Sequence, residues 1–229
     1  MTTVPERIAL IRPALRSLID QSCPADRILL AWPERALRTG RSYPPPPPLP
    51  AGVEVIRCDD EGPATKLLAA LQAEPSAAIV VADDDVIYPE DFLATLLAAH
   101  RADPRAALGL RGWHLSPRSD PRYVYHVFGT AVARPTDVDV LLGTWGYLVP
   151  PHALDEAVRQ FDGWPPEVRW VDDIWISGHL ARKKIPRRVV PVRGLPLETA
   201  ASAIAALTDS LNRSGRNDRI AIEAFAAFW

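Results

Sequence analysis

The chain has 229 residues, 48% of them hydrophobic and 24% charged, with a formal net charge of −2. That suffices for one sizeable core, and a near-neutral balance gives no general attraction to nucleic acid or to a membrane surface. No apolar run approaches the roughly 18 residues of a transmembrane helix, and the start, MTTVPERIALIRP, lacks the basic-then-apolar order of a secretory signal.

A cytoplasmic protein is therefore expected. Cys23 and Cys58, the only cysteines, have no metal-site spacing and are expected as free thiols.

In chain order, Glu6–Gln21 carries Ile8, Leu10, Ile11, Leu15, Leu18 and Ile19 at spacings of three and four, which predicts an amphipathic helix with Pro5 near its start. RILLAW (Arg27–Trp32) reads as a short buried strand. Glu34–Pro50 reads as a loop ending in a stiff polyproline-like connector, PPPPPLP. VEVIR (Val53–Arg57) alternates as a strand does, and ATKLLAALQAE follows as a helix. Ala77–Ala82 is the next strand, and Pro89–Ala102 the next helix, with Glu90 and Asp91 in its first turn. Helix and strand alternating in this way predict an α/β fold with a mostly parallel sheet covered by helices.

The second half predicts strands over Ala106–Trp113 and Arg122–Phe128, two extended pieces within Val138–Val149, and a helix over Pro151–Gln160. A helix over Asp172–Lys184, a strand over Arg188–Val192 and helices over Ala200–Leu207 and Arg219–Phe228 complete the chain. No repeat or linker divides it. Residues 1–229 read as a single domain, with a ligand-binding half over 1–102 and a partner half over 103–229.

The chemistry concentrates in ADDDVIYP, at the end of the Ala77–Ala82 strand. Ligands of open α/β sheets bind at such carboxyl ends. Alternation along an extended backbone lets Asp83 and Asp85 face one cleft while Asp84 points elsewhere. Two converging carboxylates suit Mg²⁺ or Mn²⁺. An acidic turn leading into the next helix is the plainer reading. Asp172 and Asp173 open a later helix, as a ligand-binding pair or as N-caps. Trp170 and Trp175 flank them, as a sugar-stacking wall or as core.

TTVPER at Thr2–Arg7, DEGPATK at Asp60–Lys66, DDDVIYP at Asp83–Pro89 and VDDIWISG at Val171–Gly178 together resemble, in this order, a group of small bacterial glycosyltransferases of the GT-A fold, similar to glycosyltransferase family 2. The resemblance runs from about Thr2 to Val192. It implies a GT-A-like (nucleotide-diphospho-sugar transferase) fold and a hexosyltransferase-type enzyme of bacterial glycan biosynthesis. Such an enzyme moves a sugar from a UDP- or GDP-sugar to a glycan or other hydroxyl acceptor, with inversion and with Mn²⁺ or Mg²⁺. Donor-binding residues would be Thr2, Thr3, Arg7, Asp60, Lys66, Asp83 and Asp84, with Gly62 permitting the turn. The aspartates would act as a DXD-type motif, with Asp85 and Asp83 on the metal. Asp173 would be the general base, its pKa lowered by the helix start, and Asp172, Trp145 and Gly146 would meet the acceptor. Family members begin with a full strand; here only Met1 precedes Thr2, so the first strand is expected truncated to a stub, with an open sheet edge. His179 is a candidate third metal ligand or a packed histidine. LNRSGRNDR (Leu211–Arg219) is a candidate lid over a diphosphate or a polar connector. Two further readings stand beside the enzyme: a nucleotidyltransferase, and a catalytically silent nucleotide- or sugar-binding module of the same fold.

Overall fold

A computed structural model describes residues 1–115, 124–205, 212 and 214–229. The first strand, β1 (Ile28–Pro33), is an apolar run and is buried toward its carboxyl end. It pairs in parallel with β2 (Val53–Cys58), from Ile28 opposite Val53 to Pro33 opposite Cys58. β2 alternates between half-buried and exposed residues, as a strand with one solvated face does. The stub Met1–Thr2 lies along the other side of β1. Thr2 bridges Ala31 in parallel, and Ala31 N–H donates to the Met1 carbonyl at 2.9 Å. That edge of β1 is therefore covered over a short length.

The expected mostly parallel sheet is corrected by the strand directions. The largest sheet has the order β3 (Ile79–Val81), β10 (Tyr147–Val149), β5 (Ala107–Gly109), β11 (Arg187–Val189), β8 (Thr136–Asp137). Within it only β5 and β11 run parallel; the other pairs are antiparallel. β6 (Arg111–His114), β7 (Tyr125–Phe128) and β9 (Val140–Leu141) form a small antiparallel sheet of order β7–β6–β9, and β4 (Val86–Ile87) pairs with β12 (Leu197–Glu198). The architecture is mixed α/β, built from several small sheets. The reason is local: the strands of the second half are too short and too closely followed by turns to be joined by helical crossovers, which parallel pairing requires.

Helices α1 (Arg12–Ile19), α2 (Thr65–Ala73), α3 (Phe92–Ala102), α4 (Asp172–Arg182) and α5 (Arg216–Ala224) cover these sheets. The long first helix predicted from Glu6 is divided. A 3-10 turn over Ile8–Leu10 precedes α1, which has a proline in its first turn and buries Ala14, Leu15 and Leu18. Glu90 and Asp91 lie before α3 rather than in its first turn. The helix expected over Pro151–Gln160 is a single 3-10 turn, Glu156–Arg159, and that over Ala200–Leu207 is a 3-10 turn, Ala200–Ala203, followed by a bend at Ile204 and Ala205, with 206 and 207 outside the described residues. The polyproline tract has no regular structure, but Trp32 Nε1 donates to the Pro44 carbonyl at 3.0 Å and fastens its start to β1.

Two apolar clusters make up the core. One gathers Ile11, Leu15, Trp32, Phe92, Leu108 and Leu148; the other gathers Leu67, Val149, Ile174, Trp175, Ile222 and Phe225. Each draws on both 1–102 and 103–229. Among the described residues, no helix is long and apolar enough to cross a membrane.

His179 belongs to the second cluster. It is 2% exposed, ringed by Trp164, Trp175 and Phe225, and its Nε2 is buried without a hydrogen-bond partner. Burial, with Arg182 adding to it, pulls its pKa down to about 4. Its folded pKa thus lies below the unfolded value of ~6.5, so the unfolded chain binds the extra proton. Stability from this site is complete above pH ~6.5 and falls as pH drops toward about 4, by on the order of 2 kcal/mol. Thermal unfolding of wild type and His179→Phe across pH 4–8 should show the smaller acid loss in the variant; equal slopes would show that His179 does not drive it.

Candidate active site

The aspartate run lies at the floor of a cleft of about 430 Å³. β3 ends at Val81 and β4 begins at Val86, so Asp83, Asp84 and Asp85 form the turn between two short strands. Their walls are the 2–7 segment, the Asp60–Lys66 segment, Thr144, Trp170, and the 198–205 segment that crosses from β12. β12 is held over the cleft by its pairing with β4, and Thr199 N–H donates to the Asp85 carbonyl at 2.8 Å.

Each aspartate has a basic partner, and Asp84 and Asp85 share theirs. Asp83 accepts from Lys66 Nζ at 2.7 Å. Asp84 is buried, and accepts from Thr3 Oγ1 at 2.6 Å and from Arg7 Nη1 at 2.9 Å. The same Nη1 reaches Asp85 Oδ2 at 2.8 Å. Arg7 Nε donates to the Ile204 carbonyl at 2.7 Å, and Arg38 Nη1 to the Ala205 carbonyl at 3.0 Å, so the crossing segment is fastened by two arginines. Burial and the charge of Asp83 push the Asp85 carboxyl up to about 6, against the pull of Arg7.

Lys66 is the pivot. Its ammonium is nearly buried between Asp83 and Asp172, whose Oδ2 lies at 3.3 Å. Burial opposes its charge, but Asp172 and Asp83 more than offset that and hold its pKa well above the ordinary value. Asp172 is buried and turned toward Lys66 rather than toward the open cleft. Asp173 is half-buried, and its Oδ1 accepts the Gly143 N–H at 2.7 Å. The lowered pKa expected for Asp173 is reversed. Burial, then the Asp172 charge, raise it well above the carboxylate range, and Lys66 with the Gly143 N–H counters only in part. A helix start favours a nearby anion by ~0.3–1 kcal/mol, which is small beside the removal of a charge from water next to a like charge.

The Gly143–Gly146 turn explains the short reach to Asp173. A Cβ on Gly143 would stand 2.8 Å from Asp173 Oδ1 and 3.1 Å from Lys66 Nζ. Gly146 is buried at φ 86°, where a side chain would strike the Phe92 ring and the Val81 carbonyl, so it shapes the turn and offers no surface. Trp145 stands at φ 80° and packs against Phe128.

The other sequence-derived positions fall as follows. Thr2 lines the cleft and donates to the Ala31 carbonyl at 3.2 Å. Asp60 lines it too, but its carboxylate is spent on backbone: Gly62 N–H at 2.8 Å and Leu37 N–H at 2.7 Å. Trp170 lines the cleft, whereas Trp175 is fully buried, with Nε1 donating to the Val158 carbonyl. His179 lies with Trp175 in the aromatic core, away from the aspartates. In LNRSGRNDR, Arg216 pairs with Glu167 at 2.9 Å and Asn212 donates to the Trp170 carbonyl, while Leu211 and Arg213 fall outside the described residues. Tyr147, the last residue of the GTWGY stretch that the resemblance puts on the acceptor side, has a buried hydroxyl with no hydrogen-bond partner beside Asp172 and Lys66. Sequence reading missed the crossing segment with Glu198, which carries no local motif.

Among the described residues no cluster of three or more His, Cys, Asp or Glu is arranged to enclose a metal ion. The charge of the cleft nevertheless suits a divalent cation: six carboxylates line it against three basic side chains, Arg7, Arg38 and Lys66. Asp83 and Asp85 supply the hard oxygens such an ion takes.

No protein-family model matches this chain, and no curated protein matches it in sequence.

Lys66→Met would leave Asp83 and Asp172 without their cation. Breaking a buried pair in this way costs about 3–5 kcal/mol, so chemical denaturation at pH 7.5 should show a loss of that order. Lowering the pH, which protonates the freed carboxylates, should recover part of it. A loss within ~0.5 kcal/mol of wild type would remove Lys66 from this role.

Proposed function

We propose that this protein is a metal-dependent glycosyltransferase of the GT-A type, transferring a sugar with inversion from a nucleoside-diphosphate sugar to an acceptor hydroxyl. The observation that carries the reading is the cleft itself. Three aspartates close a strand-end cavity, and a second carboxylate pair on α4 is joined to them through one buried lysine.

The role of each residue follows from its chemistry. Transfer breaks the bond between the anomeric carbon and the diphosphate, building positive charge on the sugar and negative charge on the departing phosphate. A divalent ion held by Asp83 and Asp85 supplies Lewis-acid stabilisation of that phosphate. Lys66 fixes Asp83 and Asp172 relative to each other, so donor and acceptor halves keep one geometry. Asp173, oriented by the Gly143 N–H, takes the proton of the acceptor hydroxyl as the new bond forms. Its raised pKa suits this: a carboxylate of higher pKa is the stronger base, provided the pH is high enough to ionise it. Thr2, Trp170 and Asp60 border the space left for the nucleotide.

One observation favours a second reading. Arg7 bridges Asp84 and Asp85, so a protein cation already stands at the cluster, as a metal-free binding module would have it. Thermal unfolding with a panel of UDP- and GDP-sugars, with Mn²⁺ or with chelator, separates the two. Saturation at ~100 times the dissociation constant adds about 2.7 kcal/mol. A stabilisation that requires metal and is lost in Asp85→Ala supports the enzyme. Stabilisation equal in chelator, without donor turnover, supports the module; none with any donor overturns both.

Asp173→Asn keeps an oxygen for the Gly143 N–H but removes a carboxyl whose ionisation burial opposes. It should raise stability at pH 7.5 by about 1 kcal/mol, as relief of active-site strain does. Donor binding should persist and transfer should be lost. Wild-type transfer should climb with pH above the ordinary carboxylate range, because the base must lose its proton; full transfer by the variant would exclude Asp173 as base.

A further inference from the structure

Beside the cleft, Arg111 breaks the pattern followed by the other well-buried arginines. Arg7 is paired with Asp84 and Asp85, Arg169 with Glu61, and Arg188 with Asp103 and Asp137. Arg187 donates to the carbonyls of Asp139 and Ile185. Arg111 is half-buried at the start of β6, yet has no carboxylate in ion-pair reach among the described residues. Among the described residues its side-chain hydrogen-bond neighbour is His126 Nδ1 at 3.4 Å, and its Nε is buried without a partner.

The surroundings hold this cation in place without neutralising it. Its guanidinium lies 5.0 Å from the Phe128 ring and 5.6 Å from the Trp145 ring. His126 cannot answer its charge, because Nδ1 already accepts from Trp113 Nε1 at 3.1 Å and the imidazole is held neutral by burial and by Arg111. Trp145 reaches its place at φ 80°, a strained backbone for a bulky residue. The turn that strains it is the one whose Gly143 N–H orients Asp173. A half-desolvated guanidinium without an anion is costly. Aromatic rings lie against it without supplying a counter-charge. One of them, Trp145, belongs to the Gly143–Gly146 turn, which places Arg111 beside the turn that orients Asp173.

We propose that Arg111, packed against Phe128 and Trp145, is an anion-recognition residue, and that the acceptor sugar or polyol carries a carboxylate or phosphate group that this guanidinium binds. The word acceptor rests on the glycosyltransferase reading; the anion site does not. The fork of Arg111 would take the two oxygens of the anion in parallel, and Trp145 would lie against the apolar face of the ring beside it. The acceptor hydroxyl is thereby presented toward Asp173.

The test is binding to the full chain, without donor or metal, of two matched pairs: glucuronate against glucose, and glycerol 3-phosphate against glycerol. Calorimetry gives affinities, and the Arg111 Nε–H resonance of the wild type, assigned through its loss in Arg111→Lys, gives location. The expected result is binding of at least one anionic member with a shift of that resonance, no binding of its neutral partner, and a loss of about tenfold or more in Arg111→Gln. Arg111→Lys should recover only part, since it keeps the charge and loses the fork. Whichever anion binds names the acceptor group. Equal binding of charged and neutral members, no anion binding, or an unmoved Nε–H resonance would overturn the proposal. Because the wild-type resonance is read directly, a variant that fails to fold leaves the test intact. Anion binding without donor turnover would sink the enzyme reading alone, and turnover onto neutral acceptors without anion binding would sink this one alone.

Discussion

One buried ammonium holds the candidate site together. Lys66 stands on the first turn of α2 and reaches Asp83 at the end of β3 and Asp172 at the start of α4. α2 and β3 are consecutive elements, whereas α4 comes far later in the chain, and none of the three charges tolerates burial alone. Neutralising two carboxylates with one cation fixes where α4 begins relative to β3. The next carboxylate, Asp173, then has nowhere to go but toward the Gly143 N–H. Its raised pKa is a consequence of that arrangement: Lys66 is already shared, and burial and Asp172 act on Asp173 with less compensation.

Arg7 plays a comparable part on the other wall. One nitrogen spans Asp84 and Asp85 while Nε holds the crossing segment through the Ile204 carbonyl. The cleft is thus closed on one side by a side chain from the amino-terminal stub and on the other by backbone from beyond β12. Its acidic residues outnumber its basic ones. A diphosphate in such a space would meet net repulsion unless a cation accompanied it, which is the physical argument for the proposed metal. On the Asp173 side the imbalance has the opposite sign, with Arg111 as a cation lacking an acid. A bound molecule with a negative group on that side would complete the charge pattern of the cleft.

Much of the local structure was legible in the sequence because its causes are local. The apolar run of β1, the alternation of β2, the spacing in α2 and the acidic start of α4 each follow from a few consecutive residues. The strand–aspartate–turn over Ile79–Ile87 was legible for the same reason. Failures fell where tertiary packing outweighs local pattern. Pro151–Gln160 has helical spacing but forms only a 3-10 turn, with Val158 buried and Trp175 Nε1 bonding its carbonyl. Trp175 and His179 follow a charged helix start, where the sequence left a site role and a core role open; packing among Trp164 and Phe225 makes them core.

The sequence by itself determined the residue types available for chemistry, the α/β alternation of the first hundred residues, and the position of Asp83–Asp85 after a strand. Those depend on neighbours within one turn or one strand. Only the tertiary structure decided strand direction, the partners of each charge, and the sign of the Asp173 shift. Arg111 shows why. Nothing in RGWH separates it from the other arginines; it is singled out because it packs against Phe128 and Trp145 with its Nε unpartnered and, among the described residues, no carboxylate in ion-pair reach. Charge balance is a sum over residues distant in sequence, so it exists only once the chain has folded.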